Sequence, residues 1–241
     1  MRGWVEAILD WAATRGYRRG ENPARWKGHL ENLLPKRSKV SKVKHYPALP
    51  YQEIGTFMAA LRAEEGAAAR ALEFTILTAA RTGEVTGARR GELDGEAKIW
   101  TVPEGRIKGE KEHRVPLSAP ASTVAKRMLK SDGTEFIFPG GRAKKPLSEK
   151  AMLALLERMG RDDITVHGFR STFRDWAAEQ TNYPREVAEM ALAHVVENKV
   201  EGAYRRGDLF EKRRRLMDEW ARFCATPAKS GKVVPIRGVS E

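Results

Sequence analysis

Residues 165–170 read Thr-Val-His-Gly-Phe-Arg, residues 192–194 read Leu-Ala-His, and Tyr204 follows with Arg205 and Arg206 directly after it. An imidazole can move protons, a guanidinium can hold two phosphate oxygens at once, and a phenol can act as a nucleophile. In a chain of formal net charge +12, this set has the parts needed to attack a phosphodiester. The pattern therefore indicates cleavage and rejoining of DNA strands.

Three predicted helices carry these groups, over 168–180, 184–193 and 197–205. His167 and Arg170 then lie three residues apart on one face at the start of the first helix. The free N–H groups of that helix end add positive potential for a phosphate. The structural alternative is a histidine that caps the helix, with Arg170 in a salt bridge. For Tyr204 the alternative is packing, but Arg205 and Arg206 favour a ligand-facing position.

The rest of the sequence predicts a mostly α fold with a small antiparallel sheet (α+β). Further helices are predicted from apolar spacing and from Gly and Pro boundaries, over 3–15, 24–33, 50–63, 66–80, 83–90, 120–130, 147–159 and 208–224. Short strands are predicted at 99–102, 113–117 and 136–138. The segment 34–47 has linker composition, and the tail 226–241 has little to bury.

Composition narrows the class of protein. The 241 residues are 41% hydrophobic and 32% charged, which is typical of a globular protein, and no apolar run approaches the roughly 20 residues that cross a bilayer. One cysteine, Cys224, excludes an internal disulfide and a cysteine-cluster metal site. The five histidines form no metal-ligand motif. We expect a cytoplasmic protein without a metal or another cofactor.

The positive charge is concentrated near the N-terminus. Residues 1–45 hold 11 Lys and Arg against 4 Asp and Glu, a net +7 of the total +12. A solvated surface is one explanation, but such clustering is typical of a site for a polyanion. Outside the residues proposed for chemistry, the basic side chains predicted to contact DNA are Lys36, Arg37, Lys39, Lys42, Lys44, Lys111, Arg205 and Arg206.

Two further segments supply candidate catalytic groups. Arg81 ends an apolar helix, where an arginine can simply offset the helix dipole, but Glu84 three residues later could hold its guanidinium in one orientation. The segment 106–114 lies between two predicted strands and should form an exposed hairpin tip. A lysine there could protonate a departing oxygen. Spacing alone leaves Lys108 and Lys111 as alternatives.

The ordered set Arg81, Lys108, His167, Arg170, His194 and Tyr204 resembles the catalytic residues of the tyrosine recombinases. The stretches 81–85 (Arg-Thr-Gly-Glu-Val), 113–118 (His-Arg-Val-Pro-Leu-Ser), 165–170 and 186–194 look like the phage and genomic-island integrase branch. The resemblance covers roughly residues 45–225. Each match is weak alone, but six positions in order make a specific pattern.

The resemblance implies a metal-independent transesterification. Tyr204 would attack the scissile phosphate and leave a 3′-phosphotyrosine, while Arg81 and Arg170 neutralise the non-bridging oxygens. Lys108, preferred over Lys111 by the resemblance, would protonate the leaving 5′-oxygen. His167 would assist proton transfer from the phenol, and His194 would form a hydrogen bond to the phosphate. Glu84 would support Arg81.

The resemblance also predicts the domain organisation and the partners. Residues 1–34 would be part of a helical core-binding domain, 35–47 a basic linker, 48–225 the catalytic domain and 226–241 a flexible tail. The partners would be a double-stranded DNA core site, further copies of the chain in a dimer or tetramer, and accessory DNA-bending or directionality proteins, with no membrane partner. The apolar stripe in 208–224 suits either the chain's own core or a neighbouring copy.

Three alternatives remain from the sequence. A type IB topoisomerase-like enzyme would use the same chemistry without needing a particular site. A DNA-binding remnant of an integrase would bind without turnover, because a shortened core-binding domain puts full recombination in doubt. An RNA-binding helical module is disfavoured because no stacking-platform motif accompanies the aromatic content of 8%.

Overall fold

The computed structural model describes residues 1–35, 46–107, 112–130, 134–141, 145–194 and 207–227. The chain divides into two compact units, Met1–His45 and Tyr46–Glu241. The architecture is mostly helical with one three-stranded antiparallel sheet, which confirms the predicted fold class. Across these described ranges, no helix combines the length and the apolar character that a membrane crossing requires. The domain boundaries at 34, 47 and 225 stay predictions.

The first unit contains α1 (Arg2–Thr14), which agrees closely with the helix predicted over 3–15. The Asn22 side chain joins the following loop to α1, since its Nδ2 donates to the Glu6 carbonyl at 2.8 Å and to Asp10 Oδ1 at 2.7 Å. Trp4 and Trp11 on α1 are 77% and 55% exposed. Polar contacts, rather than a buried apolar face, hold the described part of this unit together.

The second helix predicted for this unit, over 24–33, is wrong in its extent. The chain forms only an irregular turn at Trp26–Leu30 and a single helical turn at Glu31–Leu33. Lys27 is extended (ψ 127°) and Gly28 has a positive φ of 75°. Glycine adopts that left-handed conformation readily, so the helix is interrupted where apolar spacing predicted it to continue.

The helices of the second unit, in chain order, are α2 (Ile54–Ala63), α3 (Ala67–Thr78), α4 (Thr82–Thr86), α5 (Ala119–Leu129), α6 (Ala151–Arg158), α7 (Gly168–Gln180), α8 (Arg185–Ala191) and α9 (Phe210–Cys224). Single 3₁₀ turns lie at Tyr51–Glu53, Arg90–Glu92 and Glu104–Arg106. The predicted helix 197–205 lies outside the described residues.

The sheet consists of β1 (Leu93–Asp94), β2 (Ile99–Val102) and β3 (His113–Pro116) in that spatial order. Both pairings are antiparallel, with Trp100 opposite Leu93 on one side and opposite Val115 on the other. Trp100 is fully buried and packs on Phe74 of α3 with 5.3 Å between ring centroids. This contact joins the sheet to the helical core.

Helix α3 is the centre of the second unit. Residues 71–78 are all buried, so this helix is enclosed on every side and packs against α2, α5, α6 and α9. A helix that is buried around its whole circumference is typical of a core position, and the buried Glu73 is paired with Arg62 and Arg70. Its C-terminal end carries Arg81 two residues beyond Ala79, which fixes the position of that arginine relative to the core.

Helix α9 packs into the chain's own core through the middle of its apolar stripe. Leu216, Met217 and Trp220 are at most 1% exposed. The Trp220 ring packs against Trp176 of α7 with centroids 5.0 Å apart, and its Nε1 donates to the Ile76 carbonyl of α3 at 2.8 Å. The middle of the stripe therefore serves the home core, while Phe210 and Phe223 are only half-buried.

Several predicted boundaries are wrong because local turns end the regular structure early. The helix predicted at 83–90 ends at Thr86, since the chain becomes extended at Arg89 (ψ 152°). The predicted strand 136–138 forms only an isolated bridge between Phe136 and Arg89. The helix predicted at 147–159 begins at Ala151, after a turn at Ser148. The two-residue strand β1 was not predicted.

We predict that Trp220→Ala lowers the free energy of unfolding of the second unit by about 3–5 kcal/mol, because it leaves a cavity at the junction of α3, α7 and α9. Trp4→Ala is the matched control, and its exposed side chain should change stability by less than about 0.5 kcal/mol. Guanidinium denaturation followed by circular dichroism measures both. Equal effects of the two substitutions would contradict this account of the core.

Candidate active site

Arg81 lies at the corner between α3 and α4. Ala79 ends α3 in a left-handed conformation (φ 52°, ψ 23°), and Arg81 is extended just before α4. Glu84, which is 3% exposed, accepts hydrogen bonds from the Arg81 backbone N–H at 2.9 Å and from its Nη1 at 2.8 Å. This buried carboxylate therefore holds the guanidinium in one orientation.

Arg170 lies in the first turn of α7 and is only 5% exposed. Its Nη1 donates to the Ala79 carbonyl, and its Nη2 donates to the Leu192 carbonyl at 2.6 Å. Its buried Nε has no hydrogen-bond partner among the described residues. Burial first, and then the positive charge of Arg81, lower the pKa of Arg170 to about 10. The group therefore stays charged at neutral pH.

The end of α8 gathers side chains from three other elements. The Leu192 carbonyl accepts from Arg170 Nη2 at 2.6 Å, and the Ala193 carbonyl accepts from Arg81 Nη2 at 3.1 Å. The Ala191 backbone is near enough to His113 of β3 to affect its pKa. The last carbonyls of a helix lack partners within the helix and carry partial negative charge. They therefore suit two guanidiniums, which they hold side by side.

His194 follows this helix end and completes the cluster. Its Nε2 lies 3.1 Å from Arg170 Nη2, and its Nδ1 lies 2.7 Å from Oε2 of Glu189. The His194 side chain is 42% exposed, so it faces solvent from beside the buried arginine. His194 and both arginines are therefore within one hydrogen-bonded group.

His167 precedes α7 and packs on Tyr46, with ring centroids 4.6 Å apart. Partial burial, followed by the charges of Arg170 and Arg81, lowers the pKa of His167 and favours its neutral, proton-accepting form. Gly168 next to it must lack a side chain, since a Cβ there would lie 2.1 Å from the Pro47 carbonyl. The close approach of the Pro47 backbone to Gly168 therefore fixes the start of α7.

His113 is a member of this cluster that sequence reasoning missed. It lies on β3, where burial, followed by the charge of Arg213, lowers its pKa to about 4, and Glu84 and Arg81 are near enough to affect it electrostatically. Alternation along the strand was the available signal, because His113 shares a face with the buried Val115. At neutral pH it is therefore an uncharged group close enough to Arg81 to be affected by its charge.

Arg106, also missed, contacts the other side of the Arg81 corner. Its Nη1 donates to the Glu84 carbonyl at 3.1 Å, and its Nη2 pairs with Glu92. Glu92 also accepts from the Trp100 indole at 3.0 Å. The chain two residues before Lys108 is therefore fixed to both the sheet and α4.

The remaining predicted residues lie outside the described ranges. They are Lys36, Arg37, Lys39, Lys42, Lys44, Lys108, Lys111, Tyr204, Arg205 and Arg206. On the described side of the last segment, Asp208 Oδ2 accepts from Arg114 Nη2 at 2.8 Å and from Arg213 Nη2 at 2.7 Å. The chain four residues after Tyr204 is thus attached to β3 and α9.

The geometry brings together four of the predicted groups, Arg81, Arg170, His167 and His194, with Glu84 behind them. Two charged guanidiniums form a site for a doubly coordinated oxyanion such as a phosphate. Within the described ranges, no group of three or more His, Cys, Asp or Glu is arranged to bind a metal ion. The arrangement can stabilise negative charge and exchange protons through imidazoles.

Comparison with known sequences places most of the second unit in one family. Residues 48–208 match the phage integrase family. Prophage integrase IntA of Escherichia coli K12 is 36% identical over 162 residues, which cover 66% of this chain and 39% of that protein. The integrase of enterobacteria phage P4 is 32% identical over 235 residues, covering 90% and 52%. The chain thus spans about half the length of the curated relatives it matches.

Solved structures share the fold. A lambda integrase (75–356) dimer bound to a COC′ core site aligns with a TM-score of 0.57 at 17% identity, covering 82% of this chain and 71% of that one. The Tn1549 transposon integrase in complex with circular intermediate DNA aligns with a TM-score of 0.57 at 15% identity, covering 85% and 77%. At such low identity the likeness shows the fold alone.

We predict that the neutral His113 makes the protein less stable in mild acid. Between about pH 4 and 6.5 the unfolded chain binds a proton at this imidazole that the folded chain does not, so stability falls as the pH falls through that window. This difference in proton binding at His113 lowers the free energy of unfolding by about 2 kcal/mol when the pH falls from 7.5 to 5. Urea denaturation at both pH values measures it.

The control for this prediction is His113→Gln, which keeps a hydrogen-bond donor but does not titrate. All other titrating groups are the same in the two proteins, so the difference between their pH dependences isolates His113. If the variant loses as much stability as the wild type on acidification, His113 is not held neutral in the fold.

Proposed function

We propose, from the premise that the chain belongs to the phage integrase family, that it catalyses site-specific recombination of DNA through a 3′-phosphotyrosine intermediate. The observation that carries the proposal is the pair Arg81 and Arg170, whose guanidiniums are held at the neighbouring carbonyls of Ala193 and Leu192 at the end of α8. Two such guanidiniums fit the two non-bridging oxygens of one phosphodiester.

The reaction would need no metal or cofactor. The Tyr204 phenol oxygen forms a bond to phosphorus, the bond from phosphorus to the 5′-oxygen breaks, and the phosphate remains on tyrosine. Negative charge grows on the non-bridging oxygens as phosphorus becomes five-coordinate, and the arginines stabilise it there. Since a phosphodiester is exchanged for a phosphotyrosine ester, a 5′-hydroxyl of another strand can reverse the step.

Proton transfer would accompany both bond changes. His167, whose pKa is lowered by burial and by the two arginines, is suited to accept the phenol proton. Lys108 would donate a proton to the leaving 5′-oxygen, with Lys111 as the alternative that spacing leaves open. His194, beside Arg170, would contribute a hydrogen bond to the phosphate, and Glu84 would keep Arg81 in place.

The proposed substrate is double-stranded DNA with a core attachment site, bound by two or four copies of the chain in the cytoplasm. Structures of related fold include a lambda integrase dimer on a core site and a tetramer on a Holliday junction, and these assemblies support the proposal. Basic residues at 36–44, with Lys111, Arg205 and Arg206, would contact the DNA backbone. Accessory DNA-bending or directionality proteins would assist.

We predict that Tyr204→Phe abolishes covalent attachment to DNA while DNA affinity stays nearly unchanged, because only the nucleophilic oxygen is lost. Nicked suicide DNA carrying a candidate core site is incubated with the protein without metal, and SDS-resistant complexes are counted. Tyr51→Phe is the matched control, since its hydroxyl bonds to Glu179, outside the cluster described above. An adduct formed by Tyr204→Phe would overturn the proposal.

We predict that Arg170→Ala lowers the rate of adduct formation about a hundred- to a thousand-fold and also weakens DNA binding. The buried guanidinium also supports the fold, so Tm is measured in parallel, and Arg170→Lys tests whether charge without the planar fork suffices. Arg161→Ala is the control, because Arg161 pairs with its near neighbour Asp163. Unchanged single-turnover kinetics in Arg170→Ala would contradict its role.

We predict that Lys108→Ala slows cleavage of normal DNA but not of DNA with a sulfur in place of the bridging 5′-oxygen. A thiolate leaves readily without protonation, so the missing general acid no longer matters. Lys111→Ala is the matched comparison. If sulfur restores Lys111→Ala and not Lys108→Ala, the general acid is Lys111 instead. Cleavage of DNA regardless of its sequence would favour the topoisomerase-like alternative.

A further inference from the structure

Glu189 on α8 is surrounded by three hydrogen-bond donors. Its Oε2 lies 2.7 Å from His194 Nδ1, and its Oε1 accepts from Nε of Arg174 at 2.9 Å and from Nε of Arg185 at 3.3 Å. Its side chain is 15% exposed. Burial alone would raise the pKa of Glu189, but the hydrogen bonds from His194 and Arg174 outweigh it and lower the pKa. The carboxylate is therefore ionised and can only accept.

Because an ionised carboxylate accepts, the contact at 2.7 Å requires a proton on His194 Nδ1. The other nitrogen, Nε2, faces the Nη2 donor of Arg170 at 3.1 Å and serves as the acceptor there. The two contacts agree on one neutral tautomer and one ring orientation. A carboxylate that binds Nδ1–H in this way commonly fixes both in functional histidines.

The backbone alone already closes the turn in which Glu189 lies. The His194 N–H donates to the Glu189 carbonyl at 3.0 Å, and the Ala193 N–H donates to the Met190 carbonyl at 3.1 Å. The side chain is therefore not needed to make the turn. Its position beneath the imidazole instead controls the direction in which His194 Nε2 points.

We infer that Glu189 is a positioning residue that holds His194 in the Nδ1–H form, with Nε2 directed at the phosphate beside Arg170. That the bound anion is a DNA phosphate rests on the proposed function, but the tautomer does not. A hydrogen bond from Nε2 to a phosphate oxygen requires a ring with protons on both nitrogens, in which the Glu189 carboxylate still accepts from Nδ1–H while Arg170 no longer donates to Nε2. Arg174 and Arg185 keep that carboxylate in place.

The first test needs no DNA. The ¹⁵N and ¹H signals of the His194 ring distinguish its tautomers in the free chain of 241 residues, and His194→Asn assigns them by their disappearance. We expect the Nδ1–H form in the wild type and in Glu189→Gln, whose amide oxygen still accepts. Glu189→Leu should shift the ring toward the Nε2–H form of a solvated imidazole. Glu186→Leu, on the same helix, is the matched control and should change nothing.

Two results of this test would overturn the inference. One is an Nε2–H ring in the wild type, and the other is an unchanged ring in Glu189→Leu, which would mean that Arg170 alone orients the histidine. The leucine variant should remain folded, because Arg174 and Arg185, with 35% and 79% exposed side chains, can turn to water. A thermal melt verifies this, and Glu189→Ala, which also removes the acceptor, gives the tautomer result if the leucine variant does not fold.

The second test is a double-mutant cycle on single-turnover adduct formation. Glu189→Leu should slow it about tenfold to a hundredfold, the scale for outer partners of functional histidines, with DNA affinity unchanged and Glu189→Gln much closer to the wild type. In the His194→Asn background Glu189→Leu should add nothing, because its effect passes through His194. Additive losses would assign Glu189 a merely structural role.

The two tests separate this inference from the proposed function. If the wild type forms no adduct that depends on Tyr204, the proposed recombination chemistry fails, and the ring signals still decide whether Glu189 orients His194. If the adduct forms but the cycle is additive and the tautomer does not respond, the recombinase assignment holds and the role of Glu189 is wrong.

Discussion

The C-terminal end of α8 is the constraint on which the site depends. The successive carbonyls of Leu192 and Ala193 there accept from Arg170 and Arg81, which come from α7 and from the corner after α3. A buried guanidinium is costly unless its donors are paired, and carbonyls at a helix end have no partner within the helix. The carbonyls at the helix end accept from the guanidinium donors, so both kinds of group are paired. A single helix end thus joins elements that are far apart in the sequence.

The sequence predicted secondary structure and contacts well where they depend on residues that are close together in the chain. The predicted range of α7, 168–180, agrees with the observed helix, and Glu84 was correctly expected against Arg81 because the two lie three residues apart. The same reasoning failed at 24–33 and 83–90, where the backbone at Gly28 and Arg89 leaves the helix although the apolar pattern continues. Apolar spacing shows which face is buried and carries little information about where a helix stops.

The groups that sequence reasoning missed are those whose partners are distant along the chain. His113 belongs to the site because β3 lies close to Arg81 and the end of α8, a tertiary relation that no local pattern contains. Glu189 is only five residues from His194, but five residues place two side chains together only if the helix ends between them. That end occurs at Ala191, two residues earlier than the predicted limit of 193, and it turns the imidazole back over the carboxylate.

The backbone around the arginines is strained in a way that serves them. Among the described residues, positive φ outside glycine occurs at Ala79, Lys98, Ala193 and Leu209, and the two alanines supply carbonyls to Arg170 and Arg81. Left-handed backbone costs a non-glycine residue about 1–2 kcal/mol. Here it turns a carbonyl toward a cation that would otherwise repel its neighbour, and after burial the charge of Arg81 is the next cause of the lowered pKa of Arg170. A dianionic transition state between the two guanidiniums cancels that repulsion more fully than a monoanionic phosphodiester does. The same pair therefore favours the transition state over the bound substrate, as catalysis requires.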